Sequence, residues 1–244
     1  MKRLVAFTAL LAACFTSTAL AAGINLSWND CGVYGATNRS FACNSNTLTG
    51  AVLVGSYVPP AGTTAITGNE IVIDLVSAGS TLPAWWQFKN FGSCRQTSLS
   101  SSADFTSGPF SCADYWSGLA AGGLAAYLTP YMTMPSRARI LLIYAVAVEN
   151  ARPMDETVEY YSFKLTINGA KTVGSPSCSG CVDPVCLVLS QIKITQPAGV
   201  GDYRLQSPLD HQFATWQGGV VIGGCPGATP TRNTTWGSLK SQYR

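Results

Sequence analysis

Nine cysteines in a chain of 244 residues constrain this protein more than any other feature. Thiols at that number must be paired, metal-bound or kept reduced, and each state implies a compartment. Cys14 falls inside MKRLVAFTALLAACFTSTALAAG, residues 1–23. There Lys2 and Arg3 form a short basic segment, Leu4 to Phe15 an apolar one, and Ala19-Leu20-Ala21 a small-residue cleavage pattern. That is the pattern of an export signal over residues 1–22, and Thr16, Ser17 and Thr18 interrupt it before it could span a bilayer. Its removal leaves an even set: Cys31, Cys43, Cys94, Cys112, Cys178, Cys181, Cys186 and Cys225. An even set in an exported chain reads as disulfides, and the expected location is secreted, periplasmic or cell-surface. Leu11-Ala12-Ala13-Cys14 also resembles a lipobox, which makes a lipoprotein acylated at Cys14 the minority alternative.

Spacing favours local bridges. Cys31 and Cys43 flank GVYGATNRSFA, and Cys94 and Cys112 flank a Ser-rich stretch, so each pair can close a short loop. Cys31–Cys43 is the first expectation, and the other four cysteines then have three possible connectivities. A structural zinc site needs four Cys or His ligands, and the chain has a single histidine, His211. Cys178-Ser179-Gly180-Cys181 leads into a strand pattern, whereas a redox pair sits at the start of a helix. No metal site and no cofactor are therefore expected.

Without Lys2 and Arg3, the 15 basic residues fall to thirteen against 12 acidic ones, a balance that does not indicate a nucleic-acid or anionic-membrane partner. Only 11% of residues are charged. The surface must be solvated largely by hydroxyls and amides, as suits an extracellular protein.

The strand signals are frequent, short and bounded by Gly, Pro or Asn. In residues 70–76 Ile71, Ile73 and Leu75 share one face, with Val72 and Asp74 on the other. In residues 159–169 Tyr161, Phe163, Leu165 and Ile167 oppose Tyr160, Ser162, Lys164 and Thr166. In residues 188–195 Ser190, Ile192 and Ile194 oppose Gln191, Lys193 and Thr195. Such alternation marks sheets with one wet face. Residues 139–148 are apolar on both faces and read as a central strand covered on each side; 137–168 then forms two antiparallel strands around a surface loop. Residues 112–128 are rich in Ala and Leu but carry Gly118, Gly122 and Gly123, and read as a short helix or an ordered loop. The expectation is an all-β, disulfide-stapled antiparallel sandwich or jelly roll over residues 23–228, with one short helix. A tail, 229–244, can form a C-terminal helix with Trp236, Leu239 and Tyr243 on one face, suited to docking on a partner.

Catalytic signatures are missing: no Gly-x-Ser-x-Gly, no His-Glu-x-x-His, no Asp-x-Asp calcium loop. Asp210 adjoins His211, but neighbours on an extended chain point to opposite faces, so Asp210 is badly placed to orient that ring. Asp155, Glu156 and Glu159 form the one acidic group, read as a solvated turn with a weak calcium site as the alternative. Aromatics are more suggestive. Trp85 and Trp86, if extended, face opposite ways, so one ring lies outward and, with Tyr160, Trp116 or Trp216, can stack on a sugar; burial in a second core layer is the plain alternative. Asn25, Asn38 and Asn233 lie in Asn-x-Ser/Thr triplets, read as chance matches in a bacterial protein.

The stretches INLSWNDCG, LPAWWQFKN, TQPAGVGDY and TWGSLKSQYR together resemble uncharacterised exported bacterial proteins. That resemblance implies export and transfers no site residue. The leading functional expectation is a non-catalytic extracellular module with a structural, surface-assembly or adhesion role and a glycan or cell-surface protein as partner. The alternatives are a carbohydrate-binding domain using Trp85, Trp86 or Tyr160, and a polysaccharide-acting hydrolase or lyase.

Overall fold

The computed structural model describes residues 21–88, 91–219 and 225. The expected export signal, as far as residue 20, and the expected helical tail, 229–244, lie outside them. Eleven strands run in order: β1 Gly23–Trp28, β2 Asn38–Arg39, β3 Val52–Val58, β4 Gly68–Ser77, β5 Leu99–Ser102, β6 Ala121–Leu128, β7 Arg137–Ala145, β8 Tyr160–Ile167, β9 Val185–Thr195, β10 Tyr203–Leu205 and β11 Phe213–Trp216. They form a four-stranded sheet, β1-β3-β8-β5, and a seven-stranded sheet, β2-β11-β9-β4-β7-β6, with β10 beside β9. All pairings of these strands are antiparallel except β2 with β11.

The alternation in β4 follows the expected pattern. Ile71, Ile73 and Leu75 are buried, while Glu70, Val72 and Asp74 on the other face are partly exposed. The inward residues of both sheets join one apolar core, in which Ile24, Leu26, Leu53, Phe163, Leu165, Ile140 and Leu142 have no exposed surface. A β-sandwich is the result.

Bulges break the period-two pattern on β8 and β9, and a third shift falls on β6 between Leu124 and Ala126. Gly55 and Ser56 of β3 oppose Phe163 and Tyr161, leaving Ser162 as an extra residue. Ser162 bonds the buried Asn69 side chain at 2.9 Å, whereas the Tyr161 hydroxyl reaches Asp30, so Tyr161 does not continue the Phe163 face as alternation predicts. On β9 the pairing shifts between Leu189 and Gln191, and Ser190 turns to Asp74, away from Ile192 and Ile194.

Three other expectations are corrected. Strand β7 is covered on one face only: Ala138, Ile140, Leu142 and Tyr144 are buried, but Ile143 is 49% exposed. Strands β7 and β8 lie in different sheets, so 137–168 is not a hairpin. Residues 112–128 contain no helix; they end in β6. At Gly122, φ is 141° and a Cβ would sit 2.0 Å from the Ile143 carbonyl oxygen, so glycine lets the edge strand close on β7. The helical segments among the described residues are short 3₁₀ turns, Gly32–Tyr34, Ala84–Trp86 and Val148–Asn150.

Four disulfides are present, and none is local. They join Cys31 to Cys112, Cys43 to Cys181, Cys94 to Cys178 and Cys186 to Cys225. The expected Cys31–Cys43 bridge is replaced because the sandwich brings loops from distant strands together at its ends. Only Cys186–Cys225 falls within the group expected to pair among itself.

Candidate functional site

Trp85 and Trp86 both have no exposed surface. Pro83 leads into a 3₁₀ turn at Ala84–Trp86, where successive residues are about 120° apart, so the opposition of an extended chain does not apply. Their rings pack at 5.1 Å, and Trp216 lies 4.9 Å from one and 5.3 Å from the other. The Trp85 indole N–H donates to Thr172 Oγ1 at 3.0 Å. Fully buried Arg95 covers the Trp85 ring at 3.6 Å and donates to the carbonyls of Trp85, Asn168 and Ala170. Trp116 is equally buried, and Tyr160 is half-buried, its hydroxyl accepting the Asp155 N–H at 3.0 Å. Neither Trp85 nor Trp86 offers a ring face to a sugar.

The structure does assemble Ser27, His211 and Asp210. His211 Nδ1 lies 3.2 Å from Asp210 Oδ2, and Nε2 lies 2.8 Å from Ser27 Oγ. The expectation that Asp210 cannot reach the ring is overturned because this stretch is a bend and not an extended strand. Yet Ser27, on β1, has no exposed surface, and its hydroxyl also lies 2.8 Å from the Gly32 carbonyl. Asn25 Oδ1 accepts the N–H groups of Asp210 and His211, and Leu26 N–H donates to the His211 carbonyl. The arrangement fastens the 210–211 segment to β1, and a substrate cannot approach the serine.

The acidic group disperses. Asp155 accepts the backbone N–H and hydroxyl of Thr157, whose hydroxyl holds its carboxyl below the usual range. Glu159 instead reaches across to Asn25 and Ser56, accepting from them at 2.8 and 2.5 Å. It lies against Gly32, where φ is +46° and a Cβ would fall 2.6 Å from Glu159 Oε2. Asp30 accepts from Cys31 N–H, the Ser111 hydroxyl and the Tyr161 hydroxyl. No group of three metal-binding side chains occurs among the described residues.

These bonds build a rim at one end of the smaller sheet. The Cys31–Cys112 disulfide and the 2.6 Å Ser111–Asp30 bond tie two loops together, and those loops carry Val33, Tyr34 and Phe110, which are 68%, 65% and 78% exposed. Large apolar side chains held outward on cross-linked loops are the features sequence reasoning missed. The available signal was an aromatic residue two or three positions from a cysteine in a Gly- or Pro-containing loop, at Tyr34 and Phe110. Elsewhere, a cleft of about 610 Å³ is lined largely by Ser77, Ser80, Thr81, Ser179 and Asp183, with no aromatic ring.

Neither a protein-family model nor a curated protein matches this chain. Among solved structures, the chain is similar to the cohesin module of a family 33 glycoside hydrolase from Clostridium perfringens ATCC13124. Identity is 11%, the match covers 80% of this chain and 92% of that one, and the TM-score is 0.34, too low to carry an argument. Four disulfides in a two-sheet sandwich characterise this chain as a protein of an oxidising, extracytoplasmic compartment.

Proposed function

We propose that this protein is a non-catalytic extracellular module for adhesion or surface assembly, and that it engages its partner through the rim bearing Val33, Tyr34 and Phe110. The observation that carries this reading is their exposure on loops fixed by a disulfide, where the cost of ordering is met before a partner arrives. The burial of Ser27 speaks against a hydrolase built on His211, and Asp30 and Glu159 are each engaged by hydrogen-bond donors within the protein.

The test is retention of the purified protein on the envelope fraction of its producing cell. The double variant Tyr34→Ser/Phe110→Ser should lose retention with an unchanged thermal midpoint; undiminished retention would refute the reading. A second reading, glycan binding at the same rim, is favoured by the exposure of two ring-bearing side chains. It predicts saturable binding to a polysaccharide that the same double variant abolishes.

A further inference from the structure

The outer face of the larger sheet carries a polar group remote in sequence from the rim. Asp74 on β4 stands opposite Arg139 on β7 and Val188 on β9. Arg139 donates to its carboxylate through two nitrogens, at 2.7 and 2.8 Å, and the bulged Ser190 adds a third bond at 2.6 Å. The Tyr131 ring covers the Arg139 guanidinium, whose central carbon lies 4.0 Å from the ring centre. The turn carrying Tyr131 returns to β7 through Met134 N–H to Tyr131 O and Arg137 N–H to Met134 O. Within that turn Met132 and Thr133 adopt φ of +52° and +62°. Side chains other than glycine resist such values, at about 1–3 kcal/mol each, and strain of this kind gathers at ligand clamps.

Below the turn is a cavity of about 90 Å³, lined by Asp74, Arg137, Arg139, Tyr131 and Ser190 with apolar neighbours. Among the described residues, half-buried Arg137 makes no side-chain ion pair and no side-chain hydrogen bond, whereas Arg139 and Asp74 satisfy each other. Arg137 and Arg139, two apart on β7, line the cavity with the single carboxylate of Asp74, so the lining holds one uncompensated positive charge.

We propose that this cavity binds the carboxylate of a small ligand, with Arg137 forming the bidentate pair and the Tyr131 ring forming a wall. A guanidinium fork matches a planar carboxylate through two parallel hydrogen bonds. One surplus positive charge balances a monocarboxylate and falls short of a doubly charged phosphate. The volume holds a carboxyl head and its first carbon, about the space of three waters. Two sources share this chemistry: a uronic-acid sugar, and the acidic side chain or chain end of a peptide.

The test is an NMR titration of the mature protein with acetate, glucuronate, glucose and sulfate at constant ionic strength, following the amides of residues 131–139. Acetate and glucuronate should give saturable shifts, glucose none. Arg137→Gln should weaken both carboxylates at least tenfold, the loss of a charge-assisted pair. Arg137→Lys, which keeps the charge without the fork, should fall between, and Arg204→Gln on β10 should leave both unchanged. Glucuronate binding tighter than acetate identifies the sugar source; equal binding shows that the sugar ring adds nothing and leaves the peptide carboxylate as the source. Shifts that persist in Arg137→Gln with an unchanged thermal midpoint, sulfate binding as well as acetate, or no saturable shift with any carboxylate would overturn the proposal.

Discussion

Removing the Cys43–Cys181 bridge tests whether the disulfides join distant parts of the chain or only brace local loops. The two residues are 138 apart, and an isolated cross-link of that span is worth about 5 kcal/mol in the chain-entropy model. The other bridges shorten the relevant loop. With them intact the unfolded chain connects Cys43 to Cys181 through twelve residues to Cys31, eighteen from Cys112 to Cys94, and three from Cys178, a path of roughly 33 residues worth about 4 kcal/mol. With a urea m-value near 2.5 kcal/mol/M, the variant Cys43→Ala/Cys181→Ala should unfold at a midpoint about 1.5 M lower. A non-reducing tryptic map checks the pairing independently. Cleavage after Arg39 and Lys89 separates Cys31 from Cys43, so the peptide ending at Arg39 should be joined to 96–137 and not to 40–89. A loss below about 1 kcal/mol would refute the energetic reasoning, and a 40–89 partner for that peptide would refute the topology.

Two further outcomes are expected. Arg95→Met should destabilise by about 3 kcal/mol, because three carbonyls, that of Trp85 among them buried, lose their donor and the Trp85 ring its cation; equilibrium denaturation showing no loss would mean water replaces the guanidinium at no cost. At alkaline pH, burial pushes Tyr144 and Tyr161 up to about 12 and Tyr57 and Tyr127 further still, against about 10 when unfolded. The native state therefore holds protons that the unfolded chain releases, and stability present below pH 10 is lost as pH rises through 12. Arg95, lowered to about 9 by burial, acts in the opposite sense, since the native state releases its proton first, but four tyrosines outweigh it. In a tyrosinate absorbance titration these four should ionise only as the circular dichroism of the fold is lost; their ionisation near pH 10 in folded protein would contradict the burial.

Features that depend on neighbours along the chain were legible from the residues alone. Alternation at Ile71, Ile73 and Leu75 follows from side chains pointing to opposite faces of a strand, and the even cysteine count follows once an oxidising compartment is inferred. Features that depend on groups brought together from afar emerged with the fold. Cysteine pairing is set by which loops meet at the ends of the sandwich, and for that reason short spacing misled at Cys31 and Cys43. One extra residue at Ser162 or Ser190 switches the face on which the rest of its strand points, and composition does not mark it. Trp85 and Trp86 are buried because Pro83 leads into a 3₁₀ turn beneath Trp216 and Arg95, a packing that two adjacent tryptophans cannot announce. Ser27 meets His211 across 184 residues, and Ser190 meets Asp74 across 116, because strands far apart in the chain lie side by side in the fold.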